Sequence, residues 1–317
     1  MSVQFDPHAD FLACGMRDTS INVYNMDGGH LHKQINKPDP RENEIRDTGL
    51  LDVKYPVTSM RWIPDLSGEV GYDTLLASYA NSNMKFWDIS MANKDYEIDE
   101  RDNLGIYSVD YSQIGDKIIS GGADRSVRMY CNNTKKLINE MKGCVNNEIL
   151  HHYNRIHCVK FGEDDNTAYS GGTDCVVSIH DTRQQKPVHN IEGPYIIGDT
   201  LDFKDNELLT GSYRSKNCIE IWDMRTFNRI CSQNWDEINP KEGGQVVSAK
   251  FSNRKPGSVI AASKLTNEVK IFDREFTDTL ATADGFKSMI YSMDQSHNGE
   301  NIAVGTADGL VTVMEFH

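Results

Sequence analysis

The stretch CVKFGEDDNTAYSGGTDCVVSIHD, from Cys158 to Asp181, decides the fold. It alternates apolar and polar residues up to Phe161, turns through a segment rich in Asp and Asn, and resumes as TAYSGG, which ends in small residues. A second turn at Asp174 leads into VVSIH, dense in β-branched side chains. Alternation of period two buries one face and leaves the other polar, so the stretch reads as three short antiparallel strands joined by tight turns.

The same punctuation recurs along the chain. The third strand ends on Tyr24-Asn25, Trp87-Asp88, Tyr130-Cys131, His180-Asp181, Trp222-Asp223, Phe272-Asp273 and Met314-Glu315. Nineteen residues before five of these marks a first strand ends, at Phe5, Tyr111, Phe161, Phe203 and Gln295. Insertions stretch the interval to 25 from Trp62 to Trp87, and to 21 from Phe251 to Phe272. With a less regular fourth strand, such as KLINEM after Tyr130, each unit is a four-stranded antiparallel sheet. Seven such units predict an all-β, seven-bladed β-propeller spanning 1–317 as one domain. The repeats run at about 1–36, 57–103, 104–142, 156–193, 198–233, 245–283 and 288–317, with an insertion at 37–56.

Composition narrows the function. The chain carries 47 acidic and 33 basic side chains, a formal charge of −14, which argues against tracking phosphates, so no nucleic-acid partner is expected. Seven cysteines, odd in number and without a C-x-x-C pair, read as free thiols of a reducing compartment. No stretch approaches roughly 18 consecutive apolar residues, and MSVQFDPHADF lacks a basic patch followed by an apolar run. Neither a membrane span nor a leader is expected, and the expected setting is the cytoplasm.

On these marks, two of which read Trp-Asp outright, the chain resembles the WD-repeat proteins over nearly its whole length. That family commonly locks a blade with a His before the first strand, a Ser or Thr on the second, an Asp in the next turn and the Trp of the third. Carried over residue by residue, the resemblance implies His152, Ser170 and Asp174, with His180 where the Trp would stand. The His positions of other units hold Val53, Asp102, Pro194, Glu242 and Phe286, so their locks are expected to be weaker. Ser, His and Asp together also invite a hydrolase reading. The structural reading is better supported, because these positions fall where the fold needs a satisfied polar network and no G-x-S-x-G elbow is present. No catalytic residue and no cofactor are therefore assigned.

A zinc reading of His151, His152, His157 and Cys158 fails for want of a second ligand pair, and strand geometry sends His157 and Cys158 to opposite faces. No metal is expected. The SGG runs at 120–122 and 170–172 lack the Lys-Ser/Thr of a phosphate loop. The outward first-strand positions Gln4, Arg61, Asp110, Lys160, Asp202, Lys250 and Asp294 are mixed in sign, which predicts salt bridges between blades.

For partners, the resemblance points to the narrower face. Its loops carry Tyr55, Tyr107, Arg155, His157, Tyr195 and Tyr291, and its turns carry Arg17, Arg125 and Arg214, residue types enriched at binding surfaces. Trp235, in a polar insertion, either anchors a partner or tucks against its own blade. Further insertions run from Met91 to Asn103 and from Gly143 to Arg155. The first strand of unit one begins near Val3 and the third strand of unit seven ends near Phe316, so the last blade is expected to lack its outer strand and to invite strand addition. The expected function is a non-catalytic scaffold within a larger intracellular assembly, with a cytoskeletal or ciliary setting implied by the family likeness. The alternative is a substrate receptor of a cullin-based ubiquitin ligase, because Trp222-Asp223-Met224-Arg225 matches a Trp-Asp-x-Arg motif and makes Arg225 the contact.

Overall fold

The computed structural model describes residues 2–36, 55–64, 74–100, 104–141, 144–145, 148–149, 152–236, 244–255 and 257–316. Most of the 37–56 insertion, the 237–243 end of the Trp235 loop, and Val53, Asp102, Cys144 (side chain), His151 and Glu242 lie outside them. No helix is long and apolar enough to cross a membrane among the described residues.

Each blade is an antiparallel meander whose first strand lies innermost. Blade one is β1 (Ser2–Phe5), β2 (Phe11–Gly15), β3 (Ile21–Asn25) and β4 (Leu31–Ile35). Blade two is β5 (Val57–Trp62) to β8 (Asn93–Asp99), and blade three is β9 (Ile106–Tyr111) to β12 (Leu137–Met141). A two-stranded ribbon, β13 (Cys144–Val145) and β14 (Glu148–Ile149), precedes blade four, which runs from β15 (Ile156–Phe161) through β16 (Thr167–Gly172) and β17 (Val176–Asp181) to β18 (Lys186–Glu192). Blade five is β19 (Leu201–Lys204) to β22 (Asn228–Gln233), and blade six is β23 (Val246–Phe251) to β26 (Thr279–Ala283). Blade seven has three strands, β27 (Ile290–Gln295), β28 (Asn301–Thr306) and β29 (Val311–Glu315). Among the described residues the ring is therefore all-β and seven-bladed, and its last blade has three strands.

The second strands end in small residues because the next blade comes close. A Cβ on Gly121 would stand 2.7 Å from Ile156 of blade four, and one on Gly211 would stand 2.7 Å from Val246 of blade six. Apolar first and third strands fill the space between sheets, as where Ile119, Met129, Ile156, Val159 and Phe161 form one buried cluster across blades three and four.

The inner strands are joined by a repeated polar device. Asp110 of blade three pairs with Arg61 of blade two at 3.0 Å and accepts the Phe161 amide of blade four at 2.9 Å. Asp202 of blade five pairs with Lys160 at 3.6 Å and accepts the Phe251 amide at 2.8 Å. Asp294 of blade seven pairs with Lys250 and accepts the Phe5 amide at 2.7 Å, which ties the last blade to the first. Acid and base can alternate fully only around an even ring. Seven blades leave one neutral place, and Gln4 fills it, accepting from Arg61 at 3.1 Å.

Candidate functional site

In blade four the expected lock forms. Asp174 Oδ2 lies 2.8 Å from His152 Nδ1, His152 Nε2 lies 2.8 Å from Ser170 Oγ, and Ser170 Oγ lies 2.7 Å from His180 Nε2. One proton assignment satisfies the set: His152 donates through Nδ1 to the carboxylate, the Ser170 hydroxyl donates to His152 Nε2, and His180 donates through Nε2 to Ser170. Burial, with His152 nearby, pushes the His180 imidazole down to about 3, so it stands neutral. A nucleophile must be reached by its substrate, but Ser170 is 0% exposed and its oxygen is engaged on both sides. The set braces the blade, and no acyl group can reach it.

Blade three carries a lock that counting along the repeat did not locate. Buried Glu100 accepts from Ser120 at 2.5 Å and Tyr130 at 2.7 Å, and pairs with Arg128 at 3.1 Å. Ser120 and Tyr130 stand at the repeat positions of Ser170 and His180, so the carboxylate replaces the His. Arg128, a cation on a strand that is otherwise apolar, was the available signal, since a buried cation needs an acid. In blade five Trp222 Nε1 donates to Thr210 Oγ1 at 3.1 Å.

The channel is crossed by Arg61. Besides Asp110 it reaches Asp199, on the approach to blade five, at 2.8 Å. Burial opposes the Asp199 charge, yet Arg61, with Lys250 and Lys160 behind it, holds that carboxyl well below the usual range. Arg61 borders two cavities and stands between them. The one of about 640 Å³ opens where the first strands end, among paired charges. The other, of about 350 Å³, opens at the opposite end of the channel, where the first strands begin.

Three of the sequence-predicted binding residues line this upper mouth: Tyr107, His157 and Tyr291. The rings of Tyr107 and His157 stack 4.9 Å apart and 5° from parallel. Burial, and then the Arg155 charge, pushes His157 down to about 4, so the stack is uncharged at neutral pH. Tyr291 is 44% exposed with Lys264 over its ring at 4.9 Å, and exposed Tyr55 precedes Pro56 of the rim. Arg17, Arg125 and Arg155 are exposed, whereas Tyr195 is half-buried with its amide bound to Ser212 Oγ.

Two candidates are corrected. Arg214 is a brace of its own blade, donating to Ser212 at 2.9 Å and pairing with buried Glu220 at 3.0 Å. Trp235 is 2% exposed, packs edge-on against Phe272 and donates to Glu268 at 3.0 Å. It is core and offers no anchor, because its indole finds both an apolar pocket and an acceptor within the chain. Arg225, with its side chain 75% exposed, bonds Asp223 at 3.1 Å. Among the described residues no three His, Cys, Asp or Glu side chains converge as metal ligands would.

A family model for the WD domain, G-beta repeat, matches residues 99–131 and 143–181, the sequence of blades three and four. WD repeat-containing protein srw1 of Schizosaccharomyces pombe is 20% identical over 160 residues, which are 50% of this chain and 28% of that protein. The chain thus spans little more than a quarter of that relative's length. A chain in the crystal structure of the mitotic checkpoint complex superposes with a TM-score of 0.77 at 15% identity, over 100% of this chain and 86% of that one. At that identity the likeness is one of fold.

Proposed function

We infer that this chain, which belongs to the WD-repeat family, works as a non-catalytic interaction platform and as one subunit of a larger protein assembly. The upper mouth carries this reading. Its Tyr107–His157 stack is already held in place, so little rotamer freedom remains to be lost when a partner packs on it, and Tyr291 presents a ring with a polar tip across the same opening. Arg61 and its acids close the depression from below, so a partner's side chain would be received in a cup with a polar floor. The expected occupant is a loop or extended peptide placing one side chain in about 350 Å³. That a chain of similar fold sits in a crystallised checkpoint complex supports assembly as the setting.

The test is affinity purification of tagged protein with mass spectrometry. Tyr107→Ala combined with Tyr291→Ala is expected to strip most partners while leaving the melting temperature within a few degrees of wild type. An unchanged partner set sinks the reading. The cellular setting proposed with it is the cytoplasm, at a cytoskeletal or ciliary assembly, and fluorescence imaging of the tagged protein checks it.

A second reading, the ligase substrate receptor, has the exposure of Arg225 in its favour, with Arg183 equally placed beside Asp181 in blade four. Arg225→Ala would then lose a co-purified ligase adaptor, and a wild-type purification without any adaptor removes this reading.

A further inference from the structure

Between blades four and five, on the face where the first strands end, lies an open cavity of about 300 Å³. Tyr169 and Phe203 stack 5.2 Å apart across the junction, and Ile179, Val188, Met224 and Phe227 complete its apolar lining. Phe227 is the odd member. Its backbone is left-handed at φ +57°, a region that bulky residues rarely adopt, and its ring is 38% exposed, resting on His189 at 4.3 Å. At the same place, five residues after the third-strand mark, four other blades put Gly29, Ala92, Lys135 and Gln185 in that conformation.

The charges of the lining are unbalanced. Glu163, Asp164 and Asp181 border the cavity with a single cation, Arg183. Arg183 is turned to Asp181 at 3.4 Å with its side chain 69% exposed, and Lys186 stands opposite Asp181 in the strand register, so that acid is answered. Glu163 accepts only the Asp205 amide at 3.2 Å, and Asp164 accepts only the amides of Asn166 and Thr167 and the Asn166 side chain. Among the described residues neither pairs with a cation. Tyr169 adds a second, independent sign. It is 2% exposed and lines the cavity, yet its hydroxyl finds no partner among the described residues. Burial, and then the charges of Asp164 and Glu163, raise its phenol, which puts the hydroxyl on the side of those carboxylates. The ring itself shows once what such a space holds. Between blades two and three the Lys135 ammonium lies 3.8 Å from the centre of the Phe86 ring. Lys135 and Phe86 stand at the repeat positions of Phe227 and Ile179, so blade five lacks the cation that blade three supplies.

We propose that this cavity docks a basic segment of another protein, which places one arginine side chain in it. The guanidinium answers Glu163 and Asp164, the Tyr169 hydroxyl accepts a further N–H, and the planar group with its methylene stem lies along Phe227 and Phe203. Lysine offers a point charge and no plane to stack, so arginine is preferred. The formal charge of −14 on the chain favours the approach of a basic partner. The site lies on the opposite face from the upper mouth, so either reading can fail without the other.

The probe is a set of fluorescent peptides, Gly-Ser-X-Arg-X-Ser-Gly with X drawn from Ala, Leu, Phe and Ser, titrated with the whole chain and followed by anisotropy. A matched set carries citrulline, the neutral isostere, in place of arginine. The tightest arginine peptides are expected to bind about tenfold more tightly than their citrulline counterparts. Two variants place them. Phe227→Gly suits the left-handed backbone and removes the ring, and Glu163→Gln with Asp164→Asn removes the charge while leaving the turn an acceptor. Each is expected to weaken binding about tenfold with a melting temperature near that of the wild type, whereas Tyr107→Ala with Tyr291→Ala leaves it unchanged. Equal binding of the arginine and citrulline sets overturns the proposal, as does full binding in both site variants. Loss of binding in the Tyr107 and Tyr291 variant alone also overturns it, by assigning the peptides to the upper mouth.

Discussion

Blade four and blade seven share one repeat and end in opposite states. Blade four has its outer strand and a closed polar chain from Asp174 through His152 and Ser170 to His180. Among the described residues blade seven shows neither: its turn residue Asp308 is exposed and bonds Thr306 at 2.5 Å, and Val313 of its third strand is exposed. The same side-chain type at the same repeat position is therefore structural in one blade and surface in the other. Burial, set by the neighbouring strand, decides which.

The sharpest way to break this comparison is to cut the two aspartates. Asp174→Ala leaves the buried Nδ1–H of His152 and the amides of Tyr153 and Val176 without their acceptor and is expected to lower stability by about 3 kcal/mol in urea unfolding. Asp308→Ala should leave the urea midpoint where it was, because water replaces the lost contact. Equal losses would mean that the two blades are braced alike. Next in size, Ile179→Ala is expected to cost about 2–4 kcal/mol by the same measurement, whereas Val313→Ala should stay within about 0.5 kcal/mol. A large loss at Val313 would show that its edge is covered in the isolated protein.

The third test of the comparison is the pH response. His180 titrates at about 3 and His157 at about 4 in the folded protein, both below the ordinary 6.5. Between 6.5 and these values the unfolded chain binds protons that the folded chain refuses, so this stability is complete above 6.5 and is lost progressively toward pH 4. His180→Trp, which keeps an N–H for Ser170 as Trp222 does for Thr210, should flatten part of that acid limb and leave the His157 part. Melting temperatures from pH 7.5 to 4.5 check this, and an unchanged slope removes His180 from the account.

Much of the site was legible in the residues. The alternating first-strand charges were readable as inter-blade pairs because every blade repeats one register, so Arg61, Asp110, Lys160, Asp202, Lys250 and Asp294 meet in sequence order. His152, Ser170 and Asp174 were readable for the same reason. Asp199 and Glu100 were not. Both stand before a first strand, outside the repeat register, and reach their partners only because the ring folds them inward. By sequence Trp235 stands open between anchor and core: a polar loop surrounds it in the chain, but Phe272, 37 positions on, covers it in space.

Alternation, turn residues and a recurring interval were enough to determine seven antiparallel units and their innermost strands, because strand faces and meander pairing are local properties of period two. Ring closure decided the rest. It placed Asp199 against Arg61 across the channel, stacked Tyr107 on His157 at its mouth and turned Trp235 inward. These outcomes depend on which distant segments come to share a desolvated space, a quantity fixed only once all seven blades have packed.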